Sequence, residues 1–332
     1  MSTEEQTKDQ IPGSNEGANT SPTPAQANTS HCGSRKAVLL MLAAGFFLSS
    51  MAATVKLLSD DVPVPQIIFF RNITGAVVIL GILKKQGISP LGVNKKLLFL
   101  RGAFGTIGLF FFFSAIQGLT LSDAVVLNKT SPFFVILFSA AFLGEKMRKL
   151  QIPALGLAIF GIVLISQPRL DYSFLPAAAG LLSAVFAGAA YTTLRHLRHT
   201  DQPLVIVLAL TVVASVAMLP FFALGYWKTP SPTEFLILCS LGLFALIGQF
   251  LMTTAYRHAQ AGEVSIYGYS TVLFALVFGL VFWKEYPGAL SLLGAAAIVI
   301  GAYINAHSGL KAGVGVSGKE CEPLFQRRKL GR

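Results

Sequence analysis

The sequence predicts an all-α membrane protein with ten transmembrane helices arranged as two inverted five-helix repeats. Three observations predict it. Of 332 residues, 53% are hydrophobic and only 12% charged, against roughly 25% charged in a soluble domain, and mean hydropathy is +0.64. The stretch from Ala37 to Ala306 divides into apolar segments of the length, about 20 residues, that a helix needs to cross a bilayer. The chain also repeats itself at an offset of 140 residues: Gly102 with Gly242, Phe104 with Phe244, Gly108 with Gly248, Asp123 with Glu263, Glu145 with Glu285 and Gly161 with Gly301.

The segments fall near Ala37–Leu57, Gln66–Lys84, Leu97–Gly118, Asp123–Leu143, Ile152–Ser166, Leu175–Leu194, Pro203–Leu224, Phe235–Arg257, Glu263–Trp283 and Gly288–Ala306. Turn chemistry separates them, as in Asp60-Asp61-Val62-Pro63, Gly87-Ile88-Ser89-Pro90, Thr229-Pro230-Ser231-Pro232 and Tyr286-Pro287-Gly288. Residues 1–34 are polar and rich in Ser, Thr, Asn and Pro, which predicts a disordered cytoplasmic tail. Residues 35–167 form the first repeat and 174–306 the second, and 307–332 form a basic cytoplasmic tail.

Lys and Arg orient the chain, since cytoplasmic flanks carry their excess. With the amino terminus inside, the inside flanks hold Arg35, Lys36, Lys84, Lys85, Lys95, Lys96, Lys146, Arg148, Lys149, Arg195 and Arg198, and the outside loops keep Arg169, Lys228 and Lys284. Both termini then lie in the cytoplasm of a cell that carries the protein in its inner or plasma membrane. An odd number of crossings per repeat turns the second copy over, the arrangement of carriers that open alternately to each side. The net charge of +11 sits at the ends of apolar runs, with no basic stripe interleaved with aromatics, so nucleic acid is not a partner. The cysteines Cys32, Cys239 and Cys321 are far apart and suggest neither a disulfide framework nor a metal site.

The repeat signature resembles the EamA-type family of the drug/metabolite transporter superfamily. The likeness is carried by Arg101-Gly102-Ala103-Phe104-Gly105-Thr106, Leu121-Ser122-Asp123-Ala124, Thr130-Ser131-Pro132-Phe133 and Leu143-Gly144-Glu145-Lys146, then by Gly248-Gln249-Phe250, Ala261-Gly262-Glu263-Val264 and Trp283-Lys284-Glu285. It implies a ten-helix bundle with a central cavity that moves small organic solutes by alternating access and needs no cofactor. The run from Arg101 to Pro132 is most similar to bacterial permeases grouped with S-adenosylmethionine uptake carriers. The second half carries Thr271-Val272 where the first has Ser131-Pro132.

Candidate site residues are the polar groups inside the spans, because each costs free energy there unless a cavity or partner receives it. Lys129, in the run Asn128-Lys129-Thr130-Ser131, faces a cavity, or snorkels outward, or pairs with Asp123. Pro132 loosens the same helix. Arg71 could clamp a carboxylate or phosphate with its planar fork, while Arg101 and Lys56 read as snorkelling to the interface. Gln249, Tyr267 and Tyr269 in the second half, with Tyr191 in the sixth segment, offer hydrogen bonds and aromatic faces, or belong to an interfacial belt. Tyr269 occupies the repeat position of Lys129. Glu145 and Glu285 read as local partners of Lys146 and Lys284. The excess of cations favours a solute bearing a carboxylate or phosphate, amino-acid-like compounds such as S-adenosylmethionine included. A membrane-embedded transferase is the alternative, but it wants a nucleophile and base near the interface that the scattered histidines do not supply. A channel would want a filter ring, which the sequence lacks.

Overall fold

The computed structural model describes residues 24–143, 149–166, 174–197, 200–258 and 267–313, and among them the regular structure is helical throughout. In chain order the helices are α1 (Pro24–Leu58), α2 (Val64–Gln86), α3 (Lys95–Gly118), α4 (Leu121–Asn128), α5 (Ser131–Leu143), α6 (Gln151–Ser166), α7 (Leu175–Leu197), α8 (Pro203–Ala223), α9 (Pro232–His258), α10 (Ser270–Trp283) and α11 (Ala289–Gly313). Seven segments among the described residues are long and apolar enough to cross a membrane, one of them running from Leu121 to Phe138 across the α4–α5 junction. Three shorter apolar helices, Gln151–Ile165, Ser270–Trp283 and Ala289–Asn305, lie where three further spans were expected. Helix α1 begins at Pro24, inside the stretch expected as a tail, and its membrane-length part begins at Lys36.

Local chemistry sets the helix ends. Pro65 sits in the first turn of α2, where a missing N–H costs nothing, and Gly87 ends that helix in the left-handed conformation. Asn94 caps α3 by accepting from the Leu97 N–H, and Thr120 caps α4 by accepting from the Asp123 N–H. At α9, the Ser231 N–H donates to Glu234 Oε2 at 2.6 Å and the Glu234 N–H donates back to Ser231 Oγ at 3.3 Å, a reciprocal capping box.

Packing pairs the two halves element by element. Helix α1 lies on α9 and α3 on α7, while α2 meets its own repeat counterpart α8, and α6 meets its counterpart α11. At the α6–α11 crossing, a Cβ on Gly161 would stand 2.5 Å from the Gly294 carbonyl, and one on Gly301 would stand 2.8 Å from the Ala154 carbonyl. Under the 140-residue offset Gly161 becomes Gly301 and Ala154 becomes Gly294, so the two contacts are one contact seen twice. That self-complementarity is the mark of copies related by an approximate twofold, and the absence of side chains lets the backbones touch. Large apolar side chains such as Leu236, Leu273, Val281 and Leu293 are exposed on the outside of the bundle, where lipid rather than water suits them.

The fourth segment departs from expectation. It is two helices, not one continuous helix loosened at Pro132: α4 stops at Asn128, Lys129 and Thr130 form a turn, and α5 starts at Ser131. Pro132 therefore stands in the first turn of α5. Having no N–H for the Asn128 carbonyl, and a ring that would clash with that carbonyl in a continuous helix, the proline breaks the helix one turn upstream of itself.

Candidate functional site

The α4–α5 break frees a carbonyl. In a continuous helix the Phe133 N–H would reach back four residues to Lys129, but here it donates to the Thr130 carbonyl at 3.0 Å. The Lys129 carbonyl instead accepts from the Tyr269 hydroxyl at 3.0 Å. Tyr269 belongs to the other half and lies at the repeat position of Lys129, immediately before α10. The chain turns there too, at Gly268 and Tyr269. Non-helical backbone at this depth is tolerated only where protein or a cavity covers it.

A cavity of about 130 Å³ adjoins the break. Lys129 and Asn128 from the end of α4, Arg71 from α2 and Arg101 from α3 line it, together with Tyr191, Gln249, Met252 and Thr271 of the second half. Arg71 is held by Nε donating to Met51 Sδ at 3.4 Å and Nη1 donating to Asn72 Oδ1 at 3.1 Å, while Asn72 is anchored by Nδ2 donating to the Ile68 carbonyl at 2.7 Å. Arg101 folds back over Gly105, where a Cβ would stand 2.6 Å from its Nη1. Its guanidinium lies 5.9 Å from the centre of the Tyr191 ring, and its buried Nε meets no acceptor. Asn128 donates to Ser183 Oγ at 3.1 Å. Among the described residues, no carboxylate forms an ion pair with Arg71, Arg101 or Lys129. Each such cation costs roughly 2.5–3.5 kcal/mol to place in a membrane.

Five of the eight candidate residues thus share one cavity: Lys129, Asn128, Arg71, Gln249 and Tyr191. The other three do not line it. Ser131 is buried at the start of α5, with its carbonyl against Gly188 of α7. Tyr267 is 39% exposed, and Tyr269 touches the site through the Lys129 carbonyl. Arg101 corrects the sequence reading outright, since it lines the cavity rather than snorkelling to an interface. The visible signal was Gly105, one turn along α3, which leaves the guanidinium room to fold inward.

Lys56 and Glu285 are corrected as well. Lys56, at the end of α1, pairs with Glu285 just after α10 and donates to the Leu119 carbonyl at 2.7 Å, while Glu285 Oε2 accepts from the Leu121 N–H at 2.8 Å. This latch joins the two halves at the end of the bundle where α1 and α10 finish. Glu285 reaches it because Lys284 adopts a left-handed φ of 53°, which turns the chain back on itself. Asp123, offered as a partner for Lys129, accepts from Ser291 Oγ at 3.3 Å instead. Glu145 and Lys146 lie outside the described residues. Among the described residues, no three His, Cys, Asp or Glu side chains gather where they could hold a metal.

Two helical halves around a cavity, in a chain with an apolar exterior, define a multi-pass integral membrane protein of the transporter class. The chain belongs to the EamA-like transporter family, whose profile matches residues 35–167 and again 175–306. It is 34% identical over 267 residues to the pseudopaline exporter CntI of Pseudomonas aeruginosa (80% of this chain and 94% of that one). To human solute carrier family 35 member G1 it is 31% identical over 273 residues (76% and 74%). A solved structure superposes with a TM-score of 0.59 at 19% identity, covering 81% of this chain and 96% of the other, and supports the fold alone.

Proposed function

We propose that this protein is a secondary transporter that carries small carboxylate- or phosphate-bearing metabolites by alternating access, crossing the membrane ten times with both termini in the cytoplasm. One observation carries the reading. Three cations share a small cavity between two repeat-related halves, and among the described residues none has a carboxylate partner. Side chains so placed are stable when an anion visits. The named transporters among the relatives support a carrier over an enzyme. With the amino terminus inside, the Lys56–Glu285 latch lies at the outer end of the bundle. S-adenosylmethionine suits this lining less well than a simple anion does, because its sulfonium would add a fourth positive charge.

Counterflow in proteoliposomes tests the proposal. Vesicles preloaded with an organic acid should take up the same labelled acid without an imposed proton or sodium gradient. Uptake of none of a panel of organic acids, phosphate esters and amino acids by a folded sample would reject it.

A further inference from the structure

The charge count in the cavity says more than that its ligand is an anion. Building on the carrier reading, we propose that the substrate carries two or three anionic groups on a short skeleton, and that Arg101 sets this charge preference.

Three facts converge. The cavity of about 130 Å³ has room for on the order of ten water-sized groups, taking about 10–15 Å³ for each. A ligand of that size has few atoms over which to spread its charge. The cavity nevertheless presents three cations of two kinds. Arg101 is a planar fork that matches a carboxylate through two parallel hydrogen bonds, Arg71 is a second guanidinium, and Lys129 is a point charge. A singly charged solute would leave two of the three cations without a counter-charge. A dianion or trianion neutralises the site.

The donors are also available. Arg71 spends Nε and one Nη on Met51 and Asn72, which fixes its plane and leaves its second Nη outside those bonds. Arg101 keeps Nε without an acceptor and rests one face toward Tyr191, so its fork is held in place yet unspent. All three cations come from the first half, whereas the second-half lining residues, Tyr191, Gln249, Met252 and Thr271 among them, are uncharged. Short aliphatic dicarboxylates, tricarboxylates and acid phosphates share this chemistry.

The test is homo-exchange by the full-length protein in liposomes, with lactate, succinate, tricarballylate, 3-phosphoglycerate and alanine as internal and external solutes. We expect succinate, tricarballylate or 3-phosphoglycerate to exchange at least tenfold faster than lactate, and the arms separate carboxylate from phosphate ligands. Arg101→Gln should cut the polyanion rate by tenfold or more while narrowing its advantage over lactate, and Arg101→Lys should restore part of the rate. Size-exclusion chromatography confirms that each variant is folded. Exchange of lactate or alanine in preference to every polyanion would overturn the charge inference and leave the carrier standing. Absence of all exchange in folded wild type would overturn both. An Arg101→Gln variant with unaltered selectivity would remove Arg101 from its assigned role.

Discussion

The first half of the chain and the second share a path in space and differ in what they bring to the cavity. Arg71, Arg101 and Lys129 of the first half correspond at the 140-residue offset to Thr211, Leu241 and Tyr269 of the second. Thr211 is buried with its hydroxyl donating to the Leu208 carbonyl, Leu241 is fully buried, and Tyr269 braces the Lys129 carbonyl. Duplication therefore kept the packing and divided the labour. Both copies supply wall, but one supplies the charge and the other the brace. Alternating access needs only the backbones to be equivalent, so the chemistry of a single site is free to become lopsided.

The largest effect should come from taking a cation out of the charged half. Lys129→Gln should weaken substrate binding by roughly 10–100-fold, the 1.5–3 kcal/mol scale of a hydrogen bond to a charged group, while the purified protein stays monodisperse. Lys129→Arg should also transport poorly, because a planar fork does not replace a point ammonium. Full uptake by a folded Lys129→Gln variant would take Lys129 out of the site.

Where the halves are alike, matching substitutions should hurt alike. Gly161→Ala and Gly301→Ala each push a methyl group against a backbone carbonyl at symmetry-related positions, and each should destabilise by about 1–3 kcal/mol, the usual cost of overpacking. Thermal unfolding in detergent reads both. A large loss for one and none for the other would break the proposed twofold. The latch is a second structural test. Lys56→Met leaves Glu285 without its cation, and because the pair is only partly buried, with 11% and 19% side-chain exposure, we expect about 1–3 kcal/mol rather than the 3–5 of a fully buried pair. If the latch closes the outer end, a cysteine at Met51 should react faster with an outside thiol reagent in the Lys56→Met background. An unchanged rate would deny the latch a gating role.

How much of this could be read in the residues follows the same division. Helices and repeats were legible because apolar runs of crossing length and glycines in step are local or strictly periodic signals. Lys129, Arg71 and Asn128 were legible because charge or amide inside a span needs an explanation. Arg101 was missed, since near the start of a span a long cation can equally snorkel, and only the fold places it over Gly105 and beside Tyr191. The Lys56–Glu285 pair was missed because the two residues are 229 positions apart, and sequence proximity favoured Lys284. The repeat pairs Tyr269 with Lys129, but the contact is a hydroxyl on a backbone carbonyl that the helix break frees. That bond exists only once the α4–α5 break does.

The smallest expected effect isolates Lys284, whose left-handed conformation suits the amino acid at its repeat position in the first half better than it suits lysine. Lys284 takes a left-handed φ of 53°, a region that costs a residue with a Cβ roughly 1 kcal/mol, and the repeat position in the first half is Gly144. Lys284→Gly should relieve that strain. Because glycine also gives the unfolded chain more freedom, at a cost of about 0.5–1 kcal/mol, the net gain should be at most about 0.5 kcal/mol, a rise of no more than about a degree in melting temperature. The Lys56–Glu285 pair should persist, since the backbone turn that presents Glu285 is kept. A drop in melting temperature would mean that the Lys284 side chain makes a stabilising contact outweighing the strain, and a loss of the latch would mean that lysine, rather than the left-handed turn, presents Glu285.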